Sequence, residues 1–571
     1  MKIKTKIILF SILLVGLLFR YYNLNWDQGF HLHPDERAIV MFTLPLEFPK
    51  SLQAFLLPQS TWNPHFFAYG NFPLYLLKIS SNIAGNFYPE FTSYGAINIL
   101  GRLISVFADL GTIFLIFLIG KLLINKKMGL LSSFFYSISV LPIQASHFYA
   151  VDIFLTFFIL LTLYRLLIFY QKPNKLNALF VGIAFGFSLS TKISSTALIS
   201  AILPTLLIDF FLIFIKKPHK INLWLPHFPI VLKKIFVDGF LIFIFTFFTF
   251  IILQPYAIID FPQFIKQNLL QSQMTHNAYI FPYTLQYVGK IPYIYELKNV
   301  FLWGQGPILA SLSFLGTLYF TLRLFLRKKE KKHEQKIILA VFFWVYFLVV
   351  GNFSIGFMRY MLPLYPFFSI FAAVLILQVV YPSIKKLKPS LFFIFSFSFL
   401  VFILIWPLSF MNIYQKQHTR VSASHWINKN IPAGSTITVE HWDDSLPLFG
   451  QSNYNVLTLS LYDPDSPQKW EIINNQLLKT DYIIIASNRL YVPLQKLTDC
   501  QNLPPGKCYP LTANYYKKLF NGSSGFKKVA EFSVYPGLEI GNWKFEIDDS
   551  SADESFTVYD HPKVMIFENK R

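Results

Sequence analysis

The feature that most constrains this chain is a recurrence of apolar stretches of about 20 residues with almost no charge inside them. A helix rising about 1.5 Å per residue crosses a hydrocarbon core of about 30 Å in that length, and in lipid every backbone group must be satisfied internally. Of the 571 residues, 14% are charged and 54% are hydrophobic, where soluble domains carry about a quarter charged. A soluble enzyme is excluded, and the chain reads as an α-helical polytopic membrane protein. The opening MKIKTKIILFSILLVGLLF has the pattern of a secretory signal, but Arg20, Tyr21 and Tyr22 stand where a small-residue cleavage site belongs. It is expected to persist as the first span. Ten more are expected at 95–122, 129–147, 150–170, 177–191, 194–215, 235–257, 307–327, 337–353, 358–380 and 390–411, about eleven in all.

Charge orients these spans. Residues 1–411 hold 34 Lys+Arg against 13 Asp+Glu, whereas residues 412–571 hold 16 against 17. With the N-terminus in the cytoplasm, all five internal loops are basic: Lys121, Lys126 and Lys127; Lys172 and Lys175; Lys216, Lys217, Lys220, Lys233 and Lys234; Arg327 to Lys336; and Lys385, Lys386 and Lys388. The formal charge of +20 is therefore a loop bias and not a nucleic-acid footprint. The opposite loops hold most of the membrane part's carboxylates, including Asp27, Asp35, Glu36, Glu90, Asp152, Asp260 and Glu296. An odd number of spans delivers the tail to the outside of a plasma membrane, where Cys500 and Cys508 can form a disulfide.

Two outer loops, 23–94 and 258–306, are too long to be connectors. The first includes NFPLYLLKISSNI (71–83), patterned as a short interfacial helix; the second is dense in Tyr, Phe and Pro, as a headgroup-level aromatic belt or a substrate platform would be. Spans five and six are separated only by a Ser-Thr-Lys knuckle, as in a hairpin dipping toward a cavity. After 411 the charge balances and short alternating strand and helix patterns appear, so residues 1–411 are expected to form a transmembrane domain and 412–571 a soluble extracytoplasmic α/β domain.

Candidate chemistry gathers at the outer surface. HLHPDER places His31, His33, Asp35, Glu36 and Arg37 just beyond span one, with Pro34 fixing the backbone; adjacent acids there suit a general base, or equally an ordinary acidic turn. Asp152 opens span four, either as a functional carboxylate or as a helix N-terminal charge. Lys192 in the knuckle and Arg359 at the start of RYMLPLYP lie at the level of a lipid-linked phosphate, and Arg102 and Lys78 are further candidates; snorkelling to headgroups is the ordinary alternative for each. His276 in QMTHNAY is a further pocket candidate. An outer carboxylate facing such cations suits sugar transfer from a lipid phosphate: the acid takes the acceptor hydroxyl's proton while the cations hold the departing polyprenyl phosphate, itself a stable anion that needs no general acid. The histidines and acids leave a divalent cation possible, without requiring one.

The acidic pair in HPDE after a basic first helix, the Asp opening span four, the Thr-Lys knuckle, RYMLPLYP and an outward tail together resemble the polyprenyl-phosphate-sugar-dependent GT-C glycosyltransferases. Among these the chain is most similar to bacterial family 39-like members related to protein O-mannosyltransferases and the lipid A aminoarabinose transferase. The resemblance implies a GT-C-like fold, Asp35 as base with Glu36 beside it, Asp152 as a second acidic position, and Lys192 with Arg359 on the donor phosphate. It implies as partners a polyprenyl-phosphate-linked sugar, membrane lipids and a hydroxyl-bearing acceptor on a protein, lipid or surface glycan. The inserted sugar-binding modules of the protein mannosyltransferases are missing, and the tail implies a subgroup but no catalytic role. A metal-dependent oligosaccharyltransferase or ligase using a diphosphate-linked donor, and a transporter or flippase, are the rival readings; mid-membrane charges would favour transport, and the acids here cluster at one surface.

Overall fold

A computed structural model describes residues 3–216, 228–326 and 332–570. Lys217, Lys220 and the cations at 327–331 of the expected inner loops lie outside the described residues.

Each of the eleven expected segments contains helix. Seven described helices are long and apolar enough to cross a membrane, or eight if Lys126–Ser137 and Val140–Ser146, bent by 63° at their junction, count as one span. The chain is a multi-pass membrane protein. The segments that fall short of a regular span do so for visible reasons. Ile3–Tyr21 contains Lys4, Lys6 and Arg20; Lys175–Thr191 has 17 residues; and Ile199–Lys216 follows a 3-10 turn and contains Pro204.

Several charged groups inside the bundle are paired. Arg20 donates to Asp109 at 2.5 Å, and Asp109 also accepts from the Tyr136 hydroxyl at 2.6 Å. Arg102 is fully buried and bridges Asp27 (2.7 Å) and Glu36 (2.5 Å), both also fully buried. Such a triad compensates charges that would be costly alone: removing Arg102 would strand two carboxylates, a loss of about 3–5 kcal/mol.

In the first long loop, helix Pro34–Thr43 begins on the His33 side chain, which accepts from the Glu36 N–H at 3.3 Å, with Pro34 at the first position and both acids in the first turn. The expected interfacial helix is Phe72–Gly85, buried through Pro73, Leu74, Tyr75 and Leu77. The second long loop holds helices Phe261–His276 and Ile294–Asn299.

The last apolar helix runs from Pro389 to Gln415, past the expected boundary at 411. Beyond it lie strands β1 (Thr436–Glu440), β2 (Asn455–Leu459), β3 (Tyr482–Ile485), β4 (Phe526–Phe532), β5 (Gly537–Ile540), β6 (Trp543–Glu546) and β7 (Val564–Asn569). Five form a mixed sheet in the order β2-β1-β3-β7-β4, parallel between β1 and both β2 and β3 and antiparallel around β7; β5 and β6 form a separate hairpin. Helices Thr419–Asn430, Pro467–Lys479 and Pro510–Phe520 complete an α/β tail, in which Cys500 and Cys508 are disulfide-bonded.

The tail is docked and not tethered. Phe556, fully buried, packs against Trp303 and Phe410 of the membrane domain. Gln144 and Tyr414 donate to Asp560 at 3.0 and 2.8 Å, and His561 sits between Asp560 and Asp549. These two carboxylates outweigh the effect of burial and raise the His561 pKa to about 10, so the imidazolium holds the junction together at neutral pH.

Candidate active site

Helical geometry separates the two acids of HPDE. Successive residues turn by about 100° around a helix axis, so Glu36 enters the Arg102 triad, also accepting from the Tyr149 backbone N–H at 2.7 Å, while Asp35 faces a cavity of about 390 Å³. Arg359 binds Asp35 at 2.9 Å, and its Nε lies 3.6 Å from Asp152. Lys192 binds Asp152 at 2.9 Å. Aromatic faces back both cations: Lys192 over Tyr360 at 4.9 Å and Arg359 over Phe357 at 4.5 Å.

Each side chain has a distinct support. Asp152 sits in the first turn of Val151–Gln171. Lys192 follows Lys175–Thr191 with an extended backbone (φ −162°, ψ 131°) that carries its side chain out of the helix and into the cavity. Arg359 is in a 3-10 segment, Met358–Leu364, ahead of helix Tyr365–Leu375. Gly70 brings Tyr69 alongside: its N–H donates to the Thr191 carbonyl at 3.0 Å, and a Cβ there would lie 1.8 Å from the Ser190 carbonyl oxygen.

Burial alone would raise the Asp35 carboxyl, but the Arg359 guanidinium, the Tyr69 hydroxyl donating to it and Lys192 hold it below the usual carboxylate range. Asp35 is thus an ionised acceptor with a defined direction. Burial depresses His33 to about 3, so at neutral pH its ring is uncharged and its Nδ1 is free to cap the helix.

Four sequence candidates therefore line this cavity: Asp35, Asp152, Lys192 and Arg359. The others are corrected. Glu36 and Arg102 are locked in the buried triad. Lys78 donates to the Leu44 carbonyl at 3.0 Å, because its helix packs under the loop instead of facing the cavity. His33 lies between Phe148 and Tyr559, lining a smaller adjoining cavity of about 30 Å³. His276 is exposed and hydrogen-bonded with the Ser272 carbonyl, while its neighbours Ser272 and Thr275 reach the cavity.

Sequence reasoning missed the tail's share of the site. Arg489, Glu554 and Tyr559 line the cavity; Arg489 donates to Glu554 at 2.7 Å, and the Tyr559 hydroxyl accepts from Arg359 at 3.2 Å. Burial raises Glu554 to about 7 even against the pull of Arg489. The signal available was the acidic, aromatic stretch ADESFTVYDHP, whose charge density suits neither a membrane span nor a strand.

Residues 93–235 match the model of the dolichyl-phosphate-mannose-protein mannosyltransferase family. Among solved structures, the archaeal oligosaccharyltransferase AglB from Archaeoglobus fulgidus, in complex with an inhibitory peptide and a dolichol-phosphate, has a TM-score of 0.50 at 12% identity, over 100% of this chain and 88% of that one. The fold is that of the GT-C glycosyltransferases. The Archaeoglobus fulgidus oligosaccharyltransferase tethered to an acceptor peptide aligns on this chain with a TM-score of 0.51 at 13% identity, over 100% of this chain and 89% of that one. ArnT from Cupriavidus metallidurans bound to undecaprenyl phosphate gives 0.46 at 12% identity, over 88% and 95%. No curated protein matches this chain. Among the described residues no group of three or more His, Cys, Asp or Glu side chains has metal-binding geometry.

Proposed function

We propose that this chain transfers a sugar from a polyprenyl-phosphate donor to a hydroxyl acceptor at the outer face of the plasma membrane, with its N-terminus cytoplasmic and its tail outside. The observation that carries this reading is the convergence of Asp35, Arg359, Asp152 and Lys192, from four separate segments, on one cavity. The mannosyltransferase family match and the dolichol-phosphate of the structural neighbour support the donor class.

The acceptor oxygen attacks the anomeric carbon as the bond to phosphate breaks. Asp35 takes the hydroxyl proton, and the electron pair of the broken bond leaves on the polyprenyl phosphate. Arg359 and Lys192 meet that developing charge, exchanging their carboxylate partners for phosphate oxygens. Direct displacement inverts the anomeric centre. Because Asp35 and Asp152 are each already compensated by a side chain of this protein, the reaction is proposed to run without a divalent cation.

Purified protein, a radiolabelled polyprenyl-phosphate sugar and an envelope acceptor extract test this. Asp35→Asn keeps the shape and is expected to lower label transfer by about 10²–10⁴-fold, whereas excess chelator is expected to leave wild-type transfer unchanged. Full activity in Asp35→Asn would remove Asp35 as the base; loss of activity with chelator would favour the metal-dependent ligase.

A further inference from the structure

One bulky side chain of the tail stands in a backbone region that few non-glycine residues enter. Trp442 has φ +78°, a conformation that costs free energy for a residue of this shape and recurs at ligand clamps. Its neighbours hold it there: the His441 N–H donates to the Leu459 carbonyl at 3.0 Å, and Asp443 is fixed by Arg420 at 2.7 Å and by Ser487. The indole does not repay this by packing into the tail core, for Trp442 is 41% exposed.

The ring stands at the edge of the active-site cavity. It lies 6.2 Å from the ring of Tyr283, and the Trp442 carbonyl accepts from Arg489 at 3.2 Å; Tyr283 and Arg489 both line the cavity. Arg489 is paired with Glu554, which also accepts from Gln286 at 2.5 Å. An exposed aromatic face thus adjoins a guanidinium, a carboxylate and an amide held in fixed directions.

We infer that Trp442, Tyr283, Arg489 and Glu554 form the acceptor subsite, and that the acceptor is a neutral saccharide. The apolar C–H face of a pyranose ring stacks on an indole, while vicinal hydroxyls both donate and accept and so match the Arg489–Glu554 pair. An anionic acceptor is disfavoured because the Arg489 guanidinium already donates to Glu554 and to the Trp442 carbonyl. A peptide is disfavoured because no strand edge lines the cavity among the described residues, which leaves an extended backbone no ladder to join. The term acceptor rests on the transfer reaction proposed above; the binding site does not.

Full-length protein in lipid nanodiscs, without donor, tests this by calorimetric titration with two probes, a neutral disaccharide and a Ser/Thr-containing hexapeptide. The disaccharide is expected to bind in preference to the hexapeptide. Trp442→Ala is expected to weaken disaccharide binding by about tenfold, Trp442→Phe to retain most of it, and Glu554→Gln to weaken it. Preference for the peptide, no disaccharide binding by wild type, or equal binding by wild type and Trp442→Ala would each overturn the inference, and the first two need no variant to fold. Saccharide binding that persists in a protein unable to transfer label would refute the reaction while leaving the subsite standing.

Discussion

Two neighbouring carboxylates, Asp35 and Glu36, have opposite fates, and the cause is a partner rather than a pattern. Glu36 meets Arg102 inside the bundle, and Asp35 meets Arg359 in the cavity. Sequence made the pair visible but could not divide it, since the dividing residues lie 66 and 324 positions further along the chain. The same holds for Arg102 and Lys78, whose partners Asp27 and the Leu44 carbonyl are set by packing alone. Glu554 allows a test at this scale. Its ordinary value of 4.5 is raised to about 7 in the fold, so the native state holds a proton that the unfolded chain releases, and stability falls as pH rises between those values. Thermal melts of wild type are therefore expected to lose ground to Glu554→Gln from about pH 4.5 to about pH 7, by at most about 3 kcal/mol, and to run parallel above that. Parallel curves throughout would mean that Glu554 is not held protonated.

Apolar periodicity located the seven described helices that are long and apolar enough to cross a membrane, because lipid imposes one rule on all of them. The 63° bend between Lys126–Ser137 and Val140–Ser146 lies at Ile138 and Ser139, where Pro142 denies the Ile138 carbonyl its helical partner, a signal that apolar periodicity alone passes over. In the tail, NVLTL and GLEI, the strands β2 and β5, are weak signals in sequence: each is only four or five residues long, and β2 has an edge strand's mixed burial. The contact between helix Phe72–Gly85 and the end of Lys175–Thr191 gives the element-scale prediction. At Gly70 a Cβ meets backbone and not a yielding side chain. Gly70→Ala is expected to push Tyr69 and Lys192 apart, lowering transfer activity by about tenfold or more and the melting temperature by several degrees, the mark of about 1–3 kcal/mol of overpacking. A variant with wild-type melting and activity would show that the helix ends yield freely.

At the scale of the whole molecule, the tail is a wall of the active site. Arg37, two residues after Asp35, binds Asp444 at 2.8 Å, and Arg420 binds the same carboxylate from the other side at 2.7 Å. The short helix that aims the base is thus also a mooring for the tail. This was illegible in sequence because tail and loop are separated by some 400 residues of unrelated pattern. The proposed topology has a direct test: a membrane-impermeant maleimide on intact cells is expected to label Cys500 and Cys508 only after reduction with an impermeant phosphine. Labelling that waits for lysis would place tail and cavity on the cytoplasmic side.

The cavity's ionic inventory has one more implication. Lys192 and Arg359 are matched by Asp152 and Asp35, so around the proposed phosphate position the formal charges cancel. A self-neutral chamber exerts little long-range pull on the crowd of ordinary anionic phospholipids around it. On the transfer proposed above, admission goes to a headgroup that can break two internal pairings at once and replace both, which would leave the vacant cavity hard to clog in the bilayer around it.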